Sequence, residues 1–439
     1  MKNINAILEN TELLIQKNSR KKKSKGRGKW LPWGSMFIYE LSMSTVEIKD
    51  VSIDKENADA KENISVSLFT LETLADVISV TNEHIRKGTK FPIVFYSRRY
   101  ILPSDNLTVS LLEYVIYYFY KEKNIEIYIT QGILSKDSFD VCIHDGKRFH
   151  YNGFLCGTAG SGFMMTSFLL SWSVANKKKQ DASLIDKAIS FRDDQLRRYK
   201  TLIGKGPWDA SIAVSECQDF LSHQKVIPAG IKAVMDVIGE LAPNAIEHGD
   251  TNCIVDLSCE DCEFPDEDGN YTRKGLNVSL VIWDFSEKLL GTDLNKKIFI
   301  DSMEQGFKYK AERISAIRQA WDYHKNHLTD EYNADDFHNV MAFQKISGRA
   351  GDRPDGGLGI STLIERVQQY TKENYCYVLS GYGALRLDQE FTGSDAEGYI
   401  GFNELKDFKG HIPDKDAVSK TKFYLPGVAY NLCFNFLEE

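Results

Sequence analysis

The stretch IPAGIKAVMDVIGELAPNAIEHG, residues 227–249, constrains this chain more than any other. Apolar residues recur at Ile231, Val234, Met235, Ile238, Leu241, Ala242, Ala245 and Ile246, a helical spacing that makes one broad stripe for burial. The opposite face carries Asp236, Glu240, Pro243, Asn244 and Glu247. Pro243 stands where proline costs about 3 kcal/mol, because it lacks the amide donor and its ring crowds the carbonyl of residue 239. Residue 239 is glycine, which gives the backbone room, and the proline lies on the polar face. Glu240 and Asn244 are one turn apart, with Cβ atoms about 6 Å from each other, so their heads can converge on one ligand. An amphipathic surface helix with ordinary polar residues is the competing reading.

A second segment bears on that choice. In ISGRAGDRPDGGLGISTLIERV (346–367), Gly356, Gly357 and Gly359 lead directly into a helix. Bare backbone before a helix N-terminus lets free N–H groups approach a phosphate, and the helix dipole favours the anion. Arg349 and Arg353 lie just upstream and suit negatively charged oxygens. Between the two segments Asp284 ends the strand-like run NVSLVIW. A carboxylate there can accept a hydrogen bond from an exocyclic amine, or it can simply cap the strand.

Together these segments resemble the GHKL (Bergerat-fold) superfamily of ATP-binding domains, which includes histidine kinases, anti-sigma-factor kinases and gyrase-type topoisomerases. ELAPNAIEHG resembles the family's N box, nearest to the anti-sigma-factor and histidine-kinase branch. DFSEK (284–288) stands at the first glycine box, and DGGLGIS (355–361) resembles the second. The resemblance covers about 195–439 and implies ATP and Mg²⁺ as ligands. It assigns Asn244 to Mg²⁺, Glu240 to the attacking water and Asp284 to the adenine amine. Gly356, Gly357 and Gly359 would cradle the phosphates. Ser286 and Lys288 replace the first box's glycines, so the turn beneath the adenine must differ.

The implied fold is α+β: a C-terminal α/β sandwich, with a mixed sheet and helices on one face, after a smaller α/β domain. We expect a basic flexible tail over 1–35, an α/β domain over 36–175, a linker over 176–194 and the ATP-binding domain over 195–439. In the first domain SMFIYELSMSTVEI, NISVSLF, FPIVFYSRR (91–99) and IEIYITQG (125–132) read as strands, and 105–124 as a helix capped by Asp105. By architecture alone it is similar to STAS-like domains. FRDDQLRRYKTLIG (191–204) reads as helix, and GLNVSLVIWDF, YCYVLSG, GALRLD and VAYNLCFNF as strands. The polar stretch at about 294–345 reads as a helical insertion at the position of the family's ATP lid. It would serve as a long lid or as a surface for a partner protein or a second copy.

Composition sets the outer limits. With 42% hydrophobic and 12% aromatic residues, the 439-residue chain has ample material for large cores, which excludes general disorder. A net charge of -8 argues against a dedicated nucleic-acid binder. The basic run Lys17–Lys29 leaves open a contact with nucleic acid, anionic lipid or an acidic partner, against the plainer reading of a solvated terminus. No run is long and apolar enough to span a bilayer, and isolated cysteines fit a reducing cytoplasm. Cys253, Cys259 and Cys262 lack the second pair and histidine that a zinc site needs. GTAGSG (157–162) has Phe163 where a P-loop needs lysine, and His84 lacks the neighbours of a phospho-acceptor. Within these limits, the resemblance implies an ATP-dependent, slowly hydrolysing switch that regulates a partner in a bacterial regulatory or defence complex. The alternatives are a serine/threonine kinase of the anti-sigma-factor type and a non-hydrolysing ATP-binding module.

Overall fold

The computed structural model describes residues 28–30, 37–52, 61–88, 93–97, 99–125, 127–131, 190–194, 197–206, 209–265, 271–284, 286–300, 311–344, 359–371 and 376–437. The chain divides into two compact units that meet in sequence at Phe191 and Arg192. Arg349, Arg353, Gly356 and Gly357 lie outside the described residues, as do GTAGSG and most of the basic run.

The first unit is built on strands β1 (Gly28–Trp30), β2 (Phe37–Glu40), β3 (Ser44–Ser52), β4 (Lys61–Phe69), β5 (Ile93–Ser97), β6 (Tyr100–Pro103) and β7 (Ile127–Gln131). They form one sheet in the order β1-β2-β5-β7 and another in the order β3-β4-β6. Pairs β2–β5, β5–β7 and β4–β6 are parallel, so the chain must cross over between them. Helices α1 (Leu71–Arg86) and α2 (Asn106–Lys123) make those crossovers. Each starts on a side-chain cap, Thr70 for α1 and Asp105 for α2, the latter accepting from the Thr108 N–H at 2.7 Å. His84 is buried in α1 beside the ring of Phe37. The expected flexible tail needs one correction, because Gly28–Trp30 pairs antiparallel with β2 and is part of the sheet.

The second unit contains β8 (Phe191–Asp193), β9 (Arg198–Ile203), α3 (Asp209–His223), α4 (Pro228–Gly249), β10 (Cys253–Pro265) and β11 (Tyr271–Asp284). Then come α5 (Thr292–Asn295), a π-turn at Lys296–Ile300, α6 (Ala311–His324), α7 (Ala334–Ala342), α8 (Gly359–Tyr370), β12 (Tyr377–Arg386) and β13 (Val418–Leu437). The strands form one sheet in the order β12-β13-β11-β10-β9-β8. From β12 to β9 every neighbouring pair is antiparallel, which corrects the expectation of a mixed sheet. Strands β10 and β11 form a hairpin, and for β9 and β10 the reason is the number of connecting helices. Between β9 and β10 the chain goes out along α3 and back along α4, so it re-enters the sheet reversed, where a single helix would have made a parallel pair.

Helices α3, α4 and α8 cover one face of this sheet. Phe220, Val234, Val237, Ile238, Leu241, Leu363 and Val367 meet Val255, Leu257, Val278, Leu280, Ile282, Leu432 and Phe434 in a common core. The segment 191–204, expected to be helical, is β8 and β9. Its charged residues misled the pattern. Arg198 and Lys200 are buried in the sheet, where Arg198 grips Asp256 with two hydrogen bonds of 2.9 and 2.5 Å and Lys200 lies 3.8 Å away. Buried charges paired in this way read as a solvated face in sequence.

The insertion between β11 and α8 is firmly seated where it is described. Trp321 and Phe337 pack together, Phe337 stacks on Phe408, and Gln344 exchanges hydrogen bonds of 2.8 and 2.9 Å with the backbone of Ile400. Buried His324 lies 2.7 Å from the Tyr332 hydroxyl and 2.8 Å from the Phe408 carbonyl. The carbonyl can only accept, so Nε2 carries the proton and Nδ1 accepts from Tyr332. Helices α6 and α7 are thereby fixed to the long excursion between β12 and β13.

Burial lowers the proton affinity of His324. The unfolded imidazole binds a proton near pH 6.5 while the folded one stays neutral, so stability should be complete above that pH and fall as pH drops toward the folded value. Urea melts at about pH 8 and pH 5 should show a drop in the wild type that His324→Phe reduces. An equal drop in the variant would assign the effect elsewhere.

Candidate functional site

The topology brings three chain segments to one end of the second sheet. Phe436 marks the opposite end: Gly230, at the start of α4, lies so near its ring that a Cβ would come within 2.9 Å, and the Tyr370 ring, at the end of α8, packs tilted against it with centroids 5.1 Å apart. Helices α4 and α8 therefore run antiparallel. Arg366 and Asp236 set their register, with Nη2 2.6 Å from the carboxylate. Eight residues further along α4, about 12 Å, is Asn244; eight back along α8 is the residue before Gly359, where the helix begins. Thus the glycine-led start of α8 stands level with Asn244.

Asp284 reaches the same end from the sheet, opposite Cys253 in the β10–β11 ladder. Gly249, the last residue of α4, sits against Ser286, to which a Cβ would approach within 3.2 Å.

On α4 Val234, Ile238, Leu241 and Ala242 of the apolar stripe are buried and Ile231, Met235, Ala245 and Ile246 are half-buried, and Pro228 begins the helix at a position where its missing N–H costs nothing. Pro243 is accommodated within the continuous helix, and space beside Gly239 is open. Glu240 and Asn244 are both half-buried. Among the described residues neither side chain makes a hydrogen bond or ion pair. Burial, and secondly the charge of Asp236, raises the proton affinity of the Glu240 carboxyl. A carboxyl so placed is biased toward holding a proton.

Asp284 is buried and accepts from the Ser286 N–H at 2.8 Å, with a second backbone bond from Val428. Burial pushes its carboxyl up to about 7, against these two bonds. Gly427, at φ 93°, brings its backbone so close that a Cβ would lie 2.3 Å from Asp284 Oδ1. The strand-capping role is therefore visible in the geometry. Ser286 is buried and accepts from the Lys288 N–H at 2.8 Å, while Lys288 pairs with Asp293 at 3.2 Å. Both residues thus build the turn that leaves Asp284.

Comparison with protein-family models, with curated proteins and with solved structures yields no match. The site must be judged on its own geometry. Among the described residues no group of three or more His, Cys, Asp or Glu side chains is arranged to hold a metal ion, and no helix is long and apolar enough to cross a membrane. Cys253 and Cys259 lie buried in β10, where desolvation holds each thiol at about 12.

Of the expected site residues, Glu240 and Asn244 lie one turn apart on α4, and Asp284 and Gly359 fall toward the same end of the sheet. Sequence reasoning missed the Arg366–Asp236 tie, the approach of Gly427, and Ser380, whose hydroxyl accepts from the Leu290 N–H and donates to the Gly427 carbonyl, each at 2.8 Å. All three are contacts between segments far apart in sequence and leave no local signal.

Two outcomes follow from the Asp284 pocket. Gly427→Ala should cost about 2–4 kcal/mol in chemical denaturation, and Asp284→Ala should restore part of the loss by removing the clash. The raised carboxyl of Asp284 also has a sign: the folded state favours the proton, so its contribution is complete below about pH 4 and is lost as pH rises toward 7. Relative to Asp284→Asn, the wild type should therefore lose melting temperature over that window, and parallel curves would refute the assignment.

Proposed function

We propose that the second unit binds Mg·ATP at this end of its sheet and acts as a slowly hydrolysing conformational switch of the GHKL type. The observation that carries the reading is the pair of half-buried, unspent side chains, Glu240 and Asn244, one turn apart and level with a glycine-led helix start. Partly exposed polar heads with no protein partner among the described residues stay hydrated and are available to a ligand that exchanges for that water.

The donor set suits magnesium on one condition. This ion keeps several waters and takes few protein ligands, so a single amide oxygen suffices when phosphates supply the rest. When bound, it would screen the negative charge of the phosphate oxygens. Asn244 offers that amide oxygen. Glu240 holds or orients a water at its carboxylate, one turn along the helix. Gly359 offers bare backbone beside the α8 N–H groups, and in sequence Gly356, Gly357, Arg349 and Arg353 come shortly before it, residue types that suit a phosphate. Asp284 accepts from the exocyclic amine of adenine through acceptor capacity beyond its two backbone bonds.

Ligand closure of the segments around the nucleotide would bias the anchored α6–α7 insertion, and through it a partner protein or a second copy. Serine/threonine kinase activity and ATP binding without turnover are the two rivals, and product analysis separates them.

Calorimetric titration of ATP, ADP and GTP with and without Mg²⁺ is the first test, with ATP favoured and magnesium required. Asn244→Ala should abolish Mg·ATP binding. Glu240→Gln should keep binding and lower turnover by about a hundredfold or more. Wild-type turnover in Glu240→Gln would remove the residue from the chemistry, and label transferred from the γ-phosphate to protein would favour the kinase.

A further inference from the structure

The polar face of α4 has a third member, Asp236, one turn before Glu240. Unlike the other two it is engaged: Arg366 reaches across from α8 and holds it at 2.6 Å. The guanidinium is steadied on its own helix by Gln369, 3.1 Å from Nη1, while Nε is buried and has no hydrogen-bond partner among the described residues. The side chains of Arg366 and Asp236 are 26% and 32% exposed, so solvent partly screens the pair and its direct stabilisation is modest, about 0–1 kcal/mol. The placement says more than the strength, because the pair lies one turn from Glu240.

We propose that Arg366 is a positioning residue for Glu240: it neutralises Asp236 from the facing helix and ties the glycine-led start of α8 to the helix that carries the polar pair. This deepens the ATP-switch reading for the same site and rests on it for its catalytic consequence.

The electrostatic surroundings are simple. Asp236 on the same helix is the charge that acts on Glu240, and it favours the protonated form. Arg366 supplies the compensating charge from α8. On the other elements packed against α4, Glu216 of α3 is engaged by the Tyr199 hydroxyl of β9 at 2.5 Å, and Asp284 of β11 by its two backbone bonds. The covered face of β10 presents Cys253, Val255, Leu257 and Cys259, and that of β13 is apolar as well. Without Arg366, the Asp236 charge would stand uncompensated one turn from Glu240. Without the Asp236 charge, the unspent guanidinium would be free to draw Glu240 toward it. The two losses act on Glu240 in opposite directions, and a purely structural clamp would not do that.

The carbon-13 carboxyl resonance of Glu240, assigned with Glu240→Gln, can be followed through pH in the nucleotide-free protein. Arg366→Gln should move the titration midpoint up, Asp236→Asn should move it down, and Arg366→Lys should stay near the wild type. A midpoint unmoved in Arg366→Gln, or moved the same way in Arg366→Gln and Asp236→Asn, overturns the proposal. If Arg366→Gln does not fold, the opposite response of Asp236→Asn and the neutrality of Arg366→Lys decide it. Turnover of Mg·ATP forms the second arm: Arg366→Gln should lose about threefold or more at about pH 6 relative to pH 8, and Arg366→Lys should not. Failure of the wild type to bind ATP would defeat the proposed function, while the carboxyl titration, which needs no nucleotide, still judges the role of Arg366.

Discussion

The second unit depends on burial of one helical stripe. Val234, Val237, Ile238, Leu241 and Ala242 of α4 press into the covered face of the antiparallel sheet, and each large apolar side chain so placed contributes about 1.5–3 kcal/mol. That contact fixes the rotation of α4 about its own axis. With rotation fixed, Asp236, Glu240 and Asn244 must lie along the helix's other side, between solvent and the neighbouring α8. The polar face is thus placed by the apolar one, and Pro243 is tolerated because the stripe holds the helix along its whole length.

Much of this was legible in the sequence, and what was not has physical causes. The period of 227–249 predicts both the helix and its buried side, and the half-buried positions of Ile231, Met235, Ala245 and Ile246 agree with it. The Asp105 cap and the strand runs around 91–132 are equally local, and the structure has them. The stretch 191–204 failed because the sequence shows that a residue is charged but does not show that its charge is paired inside the protein, as with Arg198, Lys200 and Asp256. The antiparallel sense of β9 against β10 depended on α3, a helix with no strong sequence signature. At the site, the nearness of residues 240 and 244 could be read from spacing. The register that sets Gly359 level with Asn244 needed Arg366 and Asp236 to meet across 130 positions.

Asp284 has a structural role that its contacts make plain, and the proposed ligand role would be added to it. Its carboxylate ends a strand, organises the following turn through the Ser286 N–H, and is pressed by the backbone of Gly427. Such a residue is held rigidly, and rigidity is what a hydrogen-bonding group needs to discriminate one ligand from another. Ser286 and Lys288 give this turn a side-chain framework where glycines would have left bare backbone.

The aromatic cluster around Phe337 and Phe408 has a consequence for how the chain acquires its shape. Its two halves are separated by most of α8 and β12: His324 meets Phe408 across 84 positions, and Gln344 meets Ile400 across 56. Trp321, His324, Tyr332 and Phe337 meet within the first half, but the cluster is complete only when Phe408 arrives, and closing such long loops slows its assembly. On a growing chain, α6 and α7 would emerge with the side of Phe337 that meets Phe408 uncovered and wait for the 388–417 segment to be made. During that interval they would be the stretch most in need of chaperone protection.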